Sequence, residues 1–314
     1  MSAEAALRVL KPGPFSLVQD LGRPGHRLGG VPEGGAMDRF ALVAANLLVG
    51  NPEGAGALEC ALGGPDLVAL RPCLVAITGA DFAPSVNGQP VAGWTSHFLA
   101  PGDQLTFSGR RQGARCYVGV DGGLAGDRWL GSVATYLLVR RGGVEGRPLK
   151  AGDELGRAGP GVRPAVAGRF LPPAGRPAYA SPARLAAVPG PHLSRLSPAS
   201  RRALFRESFR VSRDADRMGF RLEGPPLEIT GPELLSFGLA GGCLQVPASG
   251  QPILLMADHQ TAGGYPVVAG VARADLPLAA QLLPGDELRF EKCGVEEAHQ
   301  RWRRLRAGLE TLRS

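Results

Sequence analysis

The sequence predicts a mainly β protein built from two similar halves, and three observations carry that expectation. Gly 46 and Pro 28 together approach a quarter of the 314 residues, yet they are spread along the chain in turn-like dipeptides. Between them lie short apolar runs: Leu67-Val-Ala-Leu70, Leu74-Val-Ala-Ile77, Cys116-Tyr-Val-Gly-Val120 and Ile253-Leu-Leu-Met256. These have the length and composition of strands. Short segments of the first half also return in the second in the same order.

The matched segments define the organisation. Val9-Leu-Lys-Pro-Gly-Pro14 answers Ala186-Ala-Val-Pro-Gly-Pro191, and Val18-Gln-Asp-Leu-Gly-Arg-Pro-Gly25 answers Val211-Ser-Arg-Asp-Ala-Asp-Arg-Met-Gly219 with one extra residue. Gly64-Pro-Asp-Leu67 pairs with Gly224-Pro-Pro-Leu227, and Asn87-Gly-Gln-Pro-Val91 with Ser249-Gly-Gln-Pro-Ile253. Pro101-Gly-Asp-Gln-Leu105 pairs with Pro284-Gly-Asp-Glu-Leu288. The second half is longer between these landmarks, and its extra residues include Leu255 to Pro266; insertions into a repeated scaffold are where function is added. Three Gly-Asp-x-Leu copies, at Gly102, Gly152 and Gly285, read as turns feeding strands. The Gly-, Pro-, Ala- and Arg-rich stretch Gly156 to Pro182 is the linker candidate, so the chain divides into 1–170 and 171–314.

Helices are few. Asp38 caps one running from Arg39 to Val49, stopped by Gly50-Asn-Pro52. Ser197-Pro198 is a cap and first-turn proline for Ala199 to Phe209. Val295, Ala298, Trp302, Leu305, Leu309 and Leu312 fall three or four apart among arginines, an amphipathic tail helix that packs on its own protein or docks a partner.

Composition excludes several classes. The formal charge is +7, but lysine occurs only at Lys11, Lys150 and Lys292, and the arginines are scattered outside Arg301 to Arg306. With 6% aromatics there is no stacking platform, so no nucleic-acid partner is expected. Cys60, Cys73, Cys116, Cys243 and Cys293 are odd in number and lack a C-x-x-C pair, as expected of reduced core thiols in a cytoplasmic protein. No leader and no membrane span is expected. The five histidines lack metal-ligand spacing, so no metal is expected, and there is no phosphate loop or nucleophile-elbow motif.

The candidate site residues sit in glycine-rich turns. In Gln19-Asp-Leu-Gly-Arg-Pro-Gly-His26, Arg23 can fork a carboxylate or phosphate with Asp20 orienting it, or the two can pin a turn. Asp216-Arg217-Met218-Gly219 raises the same alternatives. Gly34-Gly-Ala-Met-Asp38 opens a helix whose N–H groups can hold an anion, with Asp38 as a competing cap. Asp258-His-Gln-Thr-Ala-Gly-Gly-Tyr-Pro266 is the most suggestive segment. Its glycines Gly263 and Gly264 permit close backbone approach, and Asp258, Gln260, Thr261 and Tyr265 supply donors and acceptors. The bland reading is a wide hairpin between Ile253–Met256 and Val267–Ala272.

Taken in order, these motifs resemble the biotin-dependent carboxyltransferase family in the form of the 5-oxoprolinase C subunit, also named allophanate hydrolase subunit 2 or antagonist of a histidine-kinase inhibitor. Gly35-Ala-Met-Asp-Arg-Phe40, Ala45-Asn-Leu-Leu-Val-Gly-Asn-Pro52, Thr78-Gly-Ala-Asp81, Gly143-Val-Glu-Gly-Arg-Pro-Leu149, Asp216 to Leu227, Gln245-Val-Pro247 and Gly250-Gln-Pro-Ile253 add to the segments above. The resemblance runs from about residue 7 to residue 297. It implies two cyclophilin-like β-barrel subdomains with a few short helices, and a complex with the family's A and B subunits, of which B is kinase-inhibitor-like. That complex opens 5-oxoproline to glutamate with ATP, which activates the lactam carbonyl by phosphorylation. A homo-oligomer of the heterodimer is also allowed.

On this reading Asp258 or Asp216 acts as base, Arg23 and Arg217 stabilise phosphoryl charge, and Asp20, Asp38, Gln245, Gln260, Thr261, Gly263, Gly264 and Tyr265 bind substrate. The alternatives are a carboxyltransferase-like component of urea or amide carboxylation, taking biotin from elsewhere because a Met-Lys-Met segment is missing here, and a non-enzymatic regulator that sequesters a kinase-inhibitor partner. Two hydroxyls usual in the family are replaced, at Ala262 and in Ser132-Val-Ala-Thr135, and Tyr136-Leu-Leu-Val-Arg140 is also unusual.

Overall fold

A computed structural model describes residues 4–161 and 166–313. Strands make up 34% of the chain and helices 17%, so the fold is mainly β. It divides into two units: one holds the residues up to 23, 34–176 and those from 307 on, and the other holds 24–33 and 177–306. The sequence reading set a single cut at 170/171, whereas the chain changes unit at 176/177 and three further times. The tail shows one cause. Arg169 donates to the Leu312 carbonyl and Arg313 pairs with Glu53, fixing the end of the chain within the first unit. Residues 162–165 of the linker candidate lie outside the described residues.

In the first unit β1 (Ala5–Lys11), β2 (Phe15–Gln19) and α1 (Arg39–Leu48) lead into β3 (Ala57–Ala61), β4 (Asp66–Ala69), β5 (Cys73–Asp81) and β6 (Pro84–Val86). There follow β7 (Gln89–Pro90), β8 (Thr95–Leu99), β9 (Gln104–Phe107), β10 (Gln112–Val120) and β11 (Glu154–Gly156). They form a six-stranded sheet, β11-β1-β4-β9-β6-β7, and a five-stranded sheet, β2-β3-β10-β5-β8. One core lies between them, with Leu7, Leu67 and Leu105 from the first sheet and Leu58, Ile77 and Val118 from the second. β5 is buried over eight consecutive residues, as an interior strand covered on both faces must be.

Its other face carries α1, which begins at Asp38, as its cap chemistry predicts: the carboxylate accepts from Ala41 N–H at 2.9 Å. The helix is buried nearly all round. It approaches β10 so closely that a Cβ at Gly119 would lie 2.7 Å from the Ala45 carbonyl oxygen.

The second unit contains β12 (Ala183–Pro189), α2 (Pro198–Arg206), β13 (Phe209–Val211), β14 (Gly219–Glu223), β15 (Phe237–Gly238) and β16 (Cys243–Gln245). β17 (Ile253–Leu255), β18 (Ala262–Gly263), β19 (Val267–Val271), α3 (Leu276–Ala279), β20 (Glu287–Lys292) and α4 (Val295–Glu310) up to Arg306 complete it. A barrel closes in the order β12-β19-β16-β17-β14-β13-β20. The parallel pairing of β12 with β20 makes the closure. Ser197 caps α2 by accepting from Ser200 N–H, but the helix ends at Arg206, since Phe209 and Val211 turn inward as β13. On α4, Trp302 lies under the Arg273 guanidinium at 4.4 Å and Arg301 pairs with Asp275 at 2.8 Å, so this stretch packs within its own unit.

The three Gly-Asp turns share one design. Asp103, Asp153 and Asp286 each accept the N–H three residues upstream, at 2.7, 2.8 and 2.9 Å. The preceding Gly102, Gly152 and Gly285 hold φ near +92, +90 and +94°. Each turn delivers a buried leucine (Leu105, Leu155 or Leu288) to a strand.

Candidate functional site

The second unit builds a site on the outer face of its barrel. β17 and β19 do not pair with each other; β16 lies between them and pairs with both. The segment from Met256 to Pro266 is therefore not the wide hairpin that its flanking strands suggested. It crosses the end of β16, and its Ala262–Gly263 strand pairs with Phe237–Gly238 as a two-stranded flap. Leu239 and Phe237 pack against Leu255, Val267 and Ile253, giving the flap its own small apolar core.

Beside the flap lies a cavity of about 320 Å³. Arg221 faces Ile253 across β14 and β17, and Ile253 faces Gln245 across β17 and β16, so three side chains of one registered row line it. Asp214 and Asp216 line it from the turn before β14, and Gln260 and Tyr265 from the crossing segment. Asp216 holds its turn with one oxygen only: Oδ1 accepts from the N–H groups of Met218 at 2.8 Å and Gly219 at 3.1 Å. Its Oδ2 enters none of the hydrogen bonds among the described residues. Gln245 is 1% exposed and donates to the Tyr265 carbonyl at 3.2 Å, which fixes the tyrosine backbone while the ring stays half exposed. A larger cavity of about 630 Å³, lined mainly by apolar side chains such as Leu227, Ile229 and Val246, also meets Gly264 and Tyr265.

Arg217 and Asp258 lie behind this surface as a clamp. The arginine reaches 41 residues along the chain, with Nε 2.8 Å from Oδ2 and a terminal nitrogen 3.2 Å from Oδ1. The Asp258 N–H donates to the Arg217 carbonyl at 2.8 Å. Both carboxylate oxygens are thus committed, and the pair ties the Asp216 turn to the crossing segment. His259 is buried next to it and its Nδ1 lies 2.7 Å from the Gln260 carbonyl; burial holds its pKa below the ordinary imidazole value.

Of the remaining expected residues, Thr261 accepts from Leu239 N–H through its carbonyl, as part of the flap. A Cβ on Gly264 would meet the Leu234 carbonyl at 2.8 Å, so that position needs glycine for packing, whereas one on Gly263 would meet the end of the Gln260 side chain at 2.6 Å. Asp20, Arg23 and Asp38 are buried in the first unit. Asp20 accepts from Gly22 N–H, Ser132 Oγ and Val133 N–H at 2.7, 2.6 and 2.8 Å. Arg23 donates to the Ala134 carbonyl and lies over the rings of Trp129 and Tyr136 at 5.1 and 5.6 Å.

Asp38 caps α1 while its N–H donates to Tyr117, whose hydroxyl donates to Glu59; burial pushes that phenol well above its usual range. Arg23 and Arg217 answer each other in the sequence match, and each contacts groups of its own chain. Sequence reasoning missed Arg221 and Asp214. The signal available was the alternation of β14, in which Phe220 and Leu222 face inward and Arg221 outward; an outward arginine by itself reads as a solvated face.

A two-unit β fold with a β-barrel and a glycine-shaped polar cavity beside it defines the class, and comparison with known proteins agrees. The carboxyltransferase domain family, subdomains A and B, matches residues 29–292, and the chain belongs to it. It is similar to the C subunit of 5-oxoprolinase from Escherichia coli, 39% identical over 302 residues and 93% of each chain. The Haemophilus influenzae protein of that name is 36% identical over 94% of each. The crystal structure of K. lactis urea amidolyase superposes with a TM-score of 0.91 at 26% identity, covering 99% of this chain and 20% of that one. Among the described residues no group of three His, Cys, Asp or Glu side chains could hold a metal, and no helix is long and apolar enough to cross a membrane.

Proposed function

We propose that this chain is the C subunit of an ATP-dependent 5-oxoprolinase complex that opens 5-oxoproline to glutamate, working with the A and B subunits in the cytoplasm. The observation that carries the reading is the end-to-end match to the E. coli 5-oxoprolinase C subunit, over 93% of both chains. The cavity supports it, since about 320 Å³ bordered by a guanidinium, two carboxylates, two amides and a phenol suits a small molecule bearing a carboxylate and an amide.

Arg221 takes the substrate carboxylate, and Gln245, Gln260 and Tyr265 orient the lactam. Asp216, through its unengaged oxygen, removes a proton from the attacking water. Water oxygen bonds to the lactam carbon, the ring C–N bond breaks, the nitrogen takes the proton collected by Asp216 and leaves as the amine of glutamate, and a second water releases the activating phosphoryl group as phosphate. Arg217 and Asp258 position the turn and the crossing segment, because their charges already neutralise each other. ATP supplies activation of the carbonyl oxygen. The contacts of Arg23 and Arg217 within this chain favour a reading in which ATP is shared with the partner subunits.

Asp216→Asn keeps the turn, because the amide oxygen still accepts the two N–H groups. Turnover by the complex should fall by about 10²-fold or more with little change in unfolding midpoint. Asp258→Ala should lose both turnover and about 3 kcal/mol of stability, since it breaks a nearly buried ion pair. Normal turnover by Asp216→Asn would end the base assignment. The superposition on urea amidolyase favours a second reading, a carboxyltransferase-like component receiving biotin from another protein. Avidin-sensitive turnover would select it.

A further inference from the structure

Two short turns of the first unit carry apolar side chains outward. One closes through the pairing of Trp129 with Ser132, the other through Tyr136 with Arg141. The Trp129 and Tyr136 rings stack with centroids 6.3 Å apart and 17° between planes, and the Arg23 guanidinium lies over both. The bases of the two turns therefore share one stack. Beyond it, Leu130, Leu138 and Val139 are 38, 77 and 46% exposed. Arg128, Arg140 and Arg141 are exposed beside them, and none enters an ion pair among the described residues. The nearby carboxylates are engaged: Asp127 accepts from Gly142 N–H, and Glu145 holds Arg147.

The backbone is set in advance for display. Leu130 and Arg140 sit at φ +50 and +52°, a left-handed conformation that side-chained residues seldom hold without a surrounding structure that enforces it. Gly142 and Gly146 let the surrounding backbone pack closely against this segment. A Cβ at Gly142 would strike the Ala134 carbonyl, and one at Gly146 the Arg140 backbone. A fixed platform loses little conformational freedom on docking.

We propose that this platform is the docking surface for a partner protein of the complex, and that the partner presents an apolar cleft rimmed by carboxylates. The proposal rests on the 5-oxoprolinase reading above. A second copy of this chain is the wrong occupant, because a twofold contact would set the three arginines against themselves on a chain of formal charge +7.

The test uses the full chain with its separately purified cognate A and B subunits, assembly being followed by calorimetry and turnover by glutamate release. Leu138→Asp and the double variant Arg140→Glu, Arg141→Glu should each raise the Kd of assembly at least tenfold, and wild-type affinity should fall as salt rises. Circular dichroism and the unfolding midpoint should stay at wild-type values, since all three side chains are exposed. Leu10→Asp, at an exposed leucine on β1, should assemble normally. If both platform variants assemble like wild type in a complex that releases glutamate, the platform is overturned and the 5-oxoprolinase reading stands. If the wild-type chain binds neither partner, both fall.

Discussion

His259 is 5% exposed and adjoins the Arg217–Asp258 clamp. Burial lowers its pKa, with Arg27 acting in the same direction and the Gln260 carbonyl opposing. A histidine whose folded pKa is depressed is neutral in the native state, so the unfolded chain binds the extra proton first as the solution is acidified. Its contribution to stability is complete above the unfolded value of about 6.5 and is lost as pH falls below it. The urea midpoint should therefore decline from pH 7 towards pH 5, and His259→Gln should flatten that decline; parallel curves for the two proteins would contradict the assignment. At this scale the sequence showed where polar residues concentrate, around Asp216 and between Asp258 and Tyr265. It did not show that Arg217 is committed to Asp258, a partner 41 residues away. Nor did it show that Asp216 keeps one oxygen for the cavity, which depends on how a turn folds back on itself.

Elements were legible where their causes are local. The Asp38 cap, the Ser197-Pro198 start and the three Gly-Asp turns each depend on a few adjacent residues, and each is where the sequence put it. Gly285 tests the turn design cleanly, because its φ is +94° and a Cβ there would meet nothing within 4 Å. Gly285→Ala should cost about 1–2 kcal/mol from backbone conformation alone, read as a lowered urea midpoint. An unchanged midpoint would mean that the turn tolerates a side chain. The crossing segment was the element the sequence left open, between a ligand-approach segment and a wide hairpin. Its flanks look like the two arms of a hairpin, and nothing in Ile253–Met256 or Val267–Ala272 says that β16 will come between them. Strand neighbours are set by pairing over long separations, which local pattern does not encode.

For the whole molecule, the mainly β fold was legible because short apolar runs alternate with turns rich in Gly and Pro along the chain. The division of the chain was less so: residues 24–33 and the end of α4 cross between the units, and that depends on tertiary packing. At the matched arginine positions, Arg23 is built into a ring stack and Arg217 into an ion pair that braces a cavity. The polar cavity lies in the second half, beside the crossing segment and flap. The measurement that tests this account most directly is glutamate release from 5-oxoproline and ATP by this chain with its cognate A and B subunits, each component omitted in turn. The account predicts release that requires all three and is lost with Asp216→Asn. Release that persists without this chain, or none from a well-formed complex, would contradict it.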